Sequence, residues 1–210
     1  MVSERSVGGG DGHYFSAHPT ATSRPDEIRL VLPDLQLRLA TDAGVFAGGA
    51  VDPGTKLLLL DGPRPDPSGT RPLLDLGCGY GPIALALATR APAATVWALD
   101  VNERARSLCA ANAEAAGLAN VVVAAPDDVP DDVAFAGIWS NPPIRIGKPA
   151  LHDLLGRWLA RLTPDGRAAL VVAKHLGSDS LAAWLTGQGW PATRLSSRAG
   201  YRLLVVAAAG

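Results

Sequence analysis

From residue 73 onward, short apolar runs alternate with longer segments of helical periodicity, and this alternation limits the chain to few architectures. Residues 73–76, 95–99, 120–124, 135–140, 168–173 and 203–207 read as strands, and residues 83–89, 103–116, 149–162 and 180–187 as helices between them. Strands apolar on both sides must be covered on both faces, and strands joined through helices run parallel. The expectation is a parallel sheet between two helical layers. In such sheets ligands sit at the carboxyl ends of the strands, where Asp75, Asp100, Asp127 and Asn141 all fall.

The preceding part is patterned differently. Residues 1–12 are rich in Gly and Ser without apolar periodicity and read as a disordered tail. Apolar Ile28, Leu30 and Leu32, then Leu35, Leu37 and Leu39, alternate with polar residues around a break at Pro33-Asp34, the signature of a hairpin. A loop follows over 42–54, a helix begins within 55–60, and three prolines mark 62–71 as a surface connection. The expected division is a tail of 1–12, an extension or lid of 13–62 and a main domain of 63–210.

With 210 residues, 48% of them hydrophobic, the chain can build one sizeable core but not two full domains. No run approaches the roughly 20 apolar residues of a membrane span, and the N-terminus lacks the order of a signal peptide, so no membrane association and a cytoplasmic location are expected. Cys78 lies in a glycine loop and Cys109 in a helix, a poor disulfide framework that predicts reduced thiols. Neither they nor His152 and His175 show metal-ligand spacing, and no metal is expected. Charge is uneven: from Asn141 onward nine basic residues face three acidic ones, a net of +6, leaving −7 for the first 140. This marks either a face that meets a polyanion or ordinary solvated helix charge.

Two segments carry chemistry. The first is Asp75-Leu76-Gly77-Cys78-Gly79-Tyr80-Gly81, which follows a strand and precedes a helix opened by Pro82. Its glycines let a ligand approach the backbone and offer N–H donors. Pro82 stands where a dinucleotide fingerprint needs its third glycine, so a nucleoside fits better than a pyrophosphate. Asp75 is placed to engage a cationic amino-acid moiety, and Asp100, about 20 residues on, to accept from both ribose hydroxyls. Asp127 or Asp128 receives an adenine amine or simply sits in a solvated turn.

The second is Asn141-Pro142-Pro143-Ile144. An exocyclic amine is a poor nucleophile because its lone pair is delocalised into the ring or carbonyl. Oxygens that accept its hydrogens out of plane expose that lone pair. The Asn141 side chain and a carbonyl near Pro142 are suitable acceptors, and the two prolines stiffen the backbone that holds them. Taken alone, the tetrapeptide also reads as a turn closing a strand.

The glycine loop, the acid ending the second strand of the main domain and the Asn-Pro-Pro-Ile segment together resemble class I S-adenosylmethionine-dependent methyltransferases. Further segments narrow the resemblance: His13-Tyr14-Phe15-Ser16, Thr41 to Phe46, Asp52-Pro53-Gly54-Thr55, Asn141 to Lys148 and Lys174-His175-Leu176-Gly177 are similar to "methyltransferase small domain" proteins of the ribosomal RNA small-subunit methyltransferase C type. The resemblance implies an α/β fold, a Rossmann-like doubly wound, mostly parallel sheet with a short N-terminal hairpin and helix extension. It implies S-adenosylmethionine as cofactor, held by Asp75, Gly77, Cys78, Gly79, Gly81, Asp100, Val101, Asp127 and Asn141. The implied reaction is methylation of a guanine N2 amine in 16S rRNA or the small subunit, with Asn141, Pro142, Pro143 and Ile144 catalytic. Arg145, Lys148 and Lys174 are phosphate contacts, and Phe46 lies at the substrate.

The chain departs from the family in two ways. Ile144 stands where many amino-methyltransferases carry a stacking aromatic, leaving Tyr14, Phe15 or Phe46 either to stack or to pack. The second departure is in length: well-characterised relatives of this type carry a duplicated methyltransferase-like domain before the catalytic one, and a short extension is expected in its place here. His13 and His18 are candidate bases, and scattered tryptophans read as core. Adenine or protein glutamine amides are alternative substrates, and a non-catalytic RNA-binding or assembly module is the alternative from outside enzymology.

Overall fold

The computed structural model describes residues 22–45 and 50–210. Expectations that fall on residues 1–21 and on Phe46, including His13, Tyr14, Phe15 and His18, lie outside the described residues. The first two strands, β1 (Asp26–Val31) and β2 (Gln36–Thr41), pair antiparallel with Ile28 opposite Leu39. Ile28, Leu30 and Leu39 are buried while their neighbours are exposed, which is the apolar alternation of the sequence realised as one covered face.

The chain continues through α1 (Pro53–Asp61), β3 (Leu73–Leu76), α2 (Pro82–Arg90), β4 (Val96–Leu99), α3 (Glu103–Ala115), β5 (Val121–Ala124), β6 (Phe135–Ser140), α4 (Lys148–Leu159), β7 (Leu162–Ala173), α5 (Ser178–Gly187), β8 (Ala192–Arg198) and β9 (Tyr201–Ala207). Strands β3 to β9 form one seven-stranded sheet in the order β5-β4-β3-β6-β7-β9-β8. The pairs from β5 across to β7 are parallel, whereas β9 runs antiparallel to both β7 and β8. From β3 the chain steps outward to β4 and β5, then returns to the other side of β3 as β6. The strand order reverses between β3 and β6, and a crevice opens there at the carboxyl ends.

Alternate residues of each strand feed two cores. Leu73, Val96, Ala169 and Val171 face one layer built from β1, β2, α1, α2 and α3. Leu74, Ile138, Leu170 and Leu204 face the other, built from α4 and α5. The hairpin and α1 therefore share a core with the helices of the main domain. Trp158 is fully buried beside Phe135 at a centroid separation of 6.2 Å, and burial of a large apolar side chain contributes about 1.5–3 kcal/mol. Trp139 is also buried. His152 stacks on Trp184 at 3.8 Å, packing α4 against α5, with Trp190 beside them at 6.2 Å.

Several boundaries differ from the sequence reading, each for a physical reason. Helix α4 ends at Leu159 rather than at 162, because Phe135 N–H donates to Arg161 O at 2.8 Å and Leu162 already pairs with Phe135. Strand β7 is thus twice the length of the apolar run 168–173, with a register shift where Thr163 to Gly166 bend. Helix α1 starts at Pro53 because Asp52 caps it, its Oδ1 accepting Thr55 N–H at 2.9 Å. Strand β8 was not expected at all. Its sequence, Ala-Thr-Arg-Leu-Ser-Ser-Arg, lacks an apolar face because it is an edge strand, blunted by charge and by a register shift around Leu195. Among the described residues no helix is long and apolar enough to cross a membrane.

Candidate active site

The loop after β3 is shaped by its glycines. Gly77 and Gly79 hold φ of +81° and +56°, and among the described residues a Cβ at either would meet no atom within 4 Å. Their role is to bend the chain beneath open space. Gly81 is different: a Cβ there would lie 2.8 Å from both Cys109 Sγ and Leu85 Cδ1, so α3 packs where a side chain would be.

As the N-cap of α2, Gly81 has no side chain with which to cap it. Asp75 does so instead from within β3, its Oδ2 accepting Ala84 N–H at 2.8 Å. The other oxygen, Oδ1, is buried and has no hydrogen-bond partner among the described residues. Burial pushes the Asp75 carboxyl up to about 8; the Ala84 N–H opposes the shift and the Asp100 charge adds to it.

Most of the loop's N–H groups are already engaged. Gly77 and Cys78 both donate to Leu99 O at 2.8 Å, Gly81 donates to Cys78 O at 2.9 Å, and Gly79 donates to Asp100 Oδ2 at 2.9 Å. This corrects the expectation that the glycines supply donors to a ligand: three of these N–H groups pin the loop against the end of β4 and the fourth closes the loop on itself, so what the glycines leave is room for close approach. Asp100 also accepts Asn102 N–H at 2.8 Å through Oδ1, and burial still raises its pKa against these hydrogen bonds. Val101, beside it, is 44% exposed.

Two expected cofactor residues stand elsewhere. The Cys78 side chain turns into the core, where hydrogen bonding with Cys109 and burial hold its pKa well above the ordinary thiol value. Only its backbone belongs to the loop. Asp127 lies on an exposed turn with its carboxylate 2.8 Å from Arg157 Nη1 of α4.

Asn141 follows β6 at the strand reversal. The Ser140 hydroxyl donates to Leu76 O at 2.6 Å and ties the end of β6 to that of β3. Asn141 Nδ2 donates to Asp52 Oδ1 at 2.7 Å and to Thr55 Oγ1 at 3.1 Å. A carboxylate accepts only, so the amide nitrogen must face it, and both of its hydrogens are used. Asn141 Oδ1 is the end of the amide left to receive a donor.

Pro143, with φ −74° and ψ 73°, centres an inverse γ-turn in which Ile144 N–H donates to Pro142 O at 2.8 Å. That carbonyl keeps one lone pair for a second donor. Ile144 is half-buried and packs against the core beneath α4. Arg145, Lys148 and Lys174 are exposed on the segments leaving β6 and β7 at the same edge of the sheet.

Asp52, Thr55 and Tyr201 were assigned no role from sequence, although Asp52-Pro53 is a legible helix-start signal. Gly54 completes that turn. A Cβ there would lie 2.7 Å from the Tyr201 ring, whose hydroxyl sits 3.5 Å from Asp52 Oδ2.

The donor set suits a nucleoside that carries a cationic amino acid: open space above two glycines, a buried carboxyl oxygen with no partner, and a second carboxylate about 20 residues on. The fold and this crevice define an S-adenosylmethionine-dependent methyltransferase of class I. The model of the methyltransferase small domain family matches residues 36–204, and the chain belongs to that family.

Its similarity to named proteins is consistent with this. It is 36% identical over 171 residues to the uncharacterized protein YbxB of Bacillus subtilis, covering 80% of this chain and 84% of that one. It is 32% identical over 169 residues to ribosomal RNA small subunit methyltransferase C of Shewanella amazonensis, covering 78% of this chain but only 48% of the relative. Among solved structures, the T. thermophilus 16S rRNA N2 methyltransferase in complex with AdoMet and guanosine superposes with a TM-score of 0.71 at 25% identity, covering 90% of this chain and 52% of that one. The chain thus spans about half the length of these rRNA methyltransferases.

Proposed function

We propose that this chain methylates the exocyclic N2 amine of a guanine in 16S rRNA. The observation that carries the proposal is the Asn141 amide, with its nitrogen held by Asp52 and Thr55 and its oxygen presented at the strand reversal. An amine hydrogen donated to Asn141 Oδ1, with a second to Pro142 O, turns the nitrogen lone pair out of the ring plane toward the donor methyl. S-adenosylmethionine would supply that methyl from its sulfonium and leave as S-adenosylhomocysteine, and the methylated nitrogen, cationic once the new bond forms, would then lose one hydrogen to solvent. Preorganised acceptors of this kind also stabilise the positive charge that the amine gains, and in-line placement contributes much of the remaining rate.

On this reading Asp75 faces the amino-acid moiety of the cofactor, and Asp100, with a lone pair to spare on each oxygen, accepts from the ribose hydroxyls. Val101 lies beside the adenine, with Asp127 at its far edge once Arg157 releases it. Arg145, Lys148 and Lys174 neutralise phosphates without reading sequence. The target base must be unpaired or flipped to reach the crevice. The extension, through α1, contributes to the site itself, and the setting is the cytoplasm, where small-subunit RNA is assembled. Similarity to the small subunit methyltransferases C supports the choice of substrate.

The test is transfer of tritiated methyl from S-adenosylmethionine to unmodified small subunits, naked rRNA and total soluble protein, followed by nucleoside analysis. Recovery of N2-methylguanosine is the expected result. Label in N6-methyladenosine or in protein glutamine would overturn the substrate, and label in no pool would favour a binding module.

A further inference from the structure

We infer that Asp52 is a positioning residue for the reaction: its carboxylate fixes which end of the Asn141 amide faces the substrate and enriches the oxygen at that end. The role rests on the proposed amine chemistry, but the geometry stands apart from it. Asp52 Oδ1 accepts from two donors, Asn141 Nδ2 at 2.7 Å and Thr55 N–H at 2.9 Å. Thr55 belongs to α1 and Asn141 directly follows β6, so Asp52 joins the start of the helix to the end of a strand 89 residues further along the chain.

Two consequences follow. First, an amide can be turned end for end at little steric cost, and an inverted Asn141 would offer hydrogens to an amine that needs acceptors. The carboxylate makes that inversion unfavourable, because it would set oxygen against oxygen at hydrogen-bond distance. Second, a charge-assisted hydrogen bond at Nδ2 draws amide electron density toward Oδ1. That oxygen meets an amine becoming cationic during transfer, so the enrichment is worth most in the transition state. The segment Asp52-Pro53-Gly54-Thr55 acquires a reason residue by residue: Asp52 caps and orients, Pro53 opens the helix, Gly54 admits the Tyr201 ring, and Thr55 adds the second acceptor.

The test separates capping from positioning. Asp52→Ser keeps a good N-cap but is too short to reach Asn141; Asp52→Asn keeps the reach and the cap and loses the charge. Asp52→Ser should lower kcat about 10- to 100-fold, with S-adenosylmethionine affinity within about threefold of wild type and an unchanged melting temperature. Asp52→Asn should recover part of that loss. Independently of any turnover, the Asn141 side-chain amide protons, assigned by their disappearance in Asn141→Ala, should exchange slowly with solvent in wild type and Asp52→Asn and rapidly in Asp52→Ser. Wild-type kcat in Asp52→Ser, or unchanged amide exchange, would overturn the inference. Loss of turnover on guanine in wild type itself would instead overturn the proposed substrate, with the exchange measurement still deciding the role of Asp52.

Discussion

Asp75 receives the Ala84 N–H at 2.8 Å from inside the neighbouring strand, and so caps a helix whose own N-cap is a glycine. One carboxylate thereby joins the strand, the loop and the helix that frame the crevice at the strand reversal.

The same burial makes Asp75 a pH-dependent liability in the cofactor-free protein. Its folded pKa is about 8 against 3.8 for the free side chain, so the folded state holds a proton that the unfolded chain has released. Stability from this group is fully present below pH 3.8 and is lost as pH rises toward about 8. Asp75→Asn, which keeps an oxygen for Ala84, should flatten that slope. Thermal melts from pH 5 to 9 should show the variant gaining on wild type as pH increases; parallel curves would refute the buried-acid account.

Cofactor binding should share this linkage. A cationic amino group placed beside Asp75 would favour the carboxylate, so binding near pH 7 should release protons. Calorimetry in buffers of different ionisation enthalpy reads that release directly. It should vanish in Asp75→Asn.

Replacing Asn141 with Ala should reduce methyl transfer by at least about 100-fold, the range seen when one preorganised acceptor or donor is removed at a charge-developing centre. Cofactor affinity should change little, since no loop contact depends on it. Initial rates at saturating RNA, paired with calorimetric titration of cofactor, distinguish the two effects.

Gly54→Ala should cost about 1–3 kcal/mol, as overpacking does when a rigid neighbour fills the space. The neighbour is the Tyr201 ring, 2.7 Å from the added carbon. Tyr201→Leu should relieve part of that cost, which urea denaturation of the single and double variants would show as non-additivity.

Lys148→Ala and Lys174→Ala should weaken RNA binding alike for all sequences and lower the slope of log K against log salt by about 0.7–0.9 each. Filter binding across a salt series measures both. A selective loss for one sequence would mean that these residues read bases.

The central strands were legible because burial on both faces forces continuous apolar runs such as Ala-Ala-Leu-Val-Val at 168–172. Strand β8 was not, since an edge strand answers to solvent and its residues carry no core pattern. The glycine loop and Asn141 were readable because their chemistry is local. The contacts of Asp52 were hidden because they bridge 89 residues to Asn141 and 149 to Tyr201, and no local spacing encodes a meeting at that distance. The burial of Asp75 and the inward turn of Cys78 were likewise set by packing from α2 and α3.

The sheet order bears on how the protein comes into being. Among the described strands β8 joins the sheet only through β9, which follows it in the chain, and Tyr201 at the start of β9 packs over Gly54 beside the Asp52 cap. During synthesis β8 must wait without a strand partner while residues 199–207 emerge from the ribosome. Only then do β7 and β8 gain the strand between them and the ring settle over the helix start, so the cap that holds the Asn141 amide is packed after the rest of the sheet is in place.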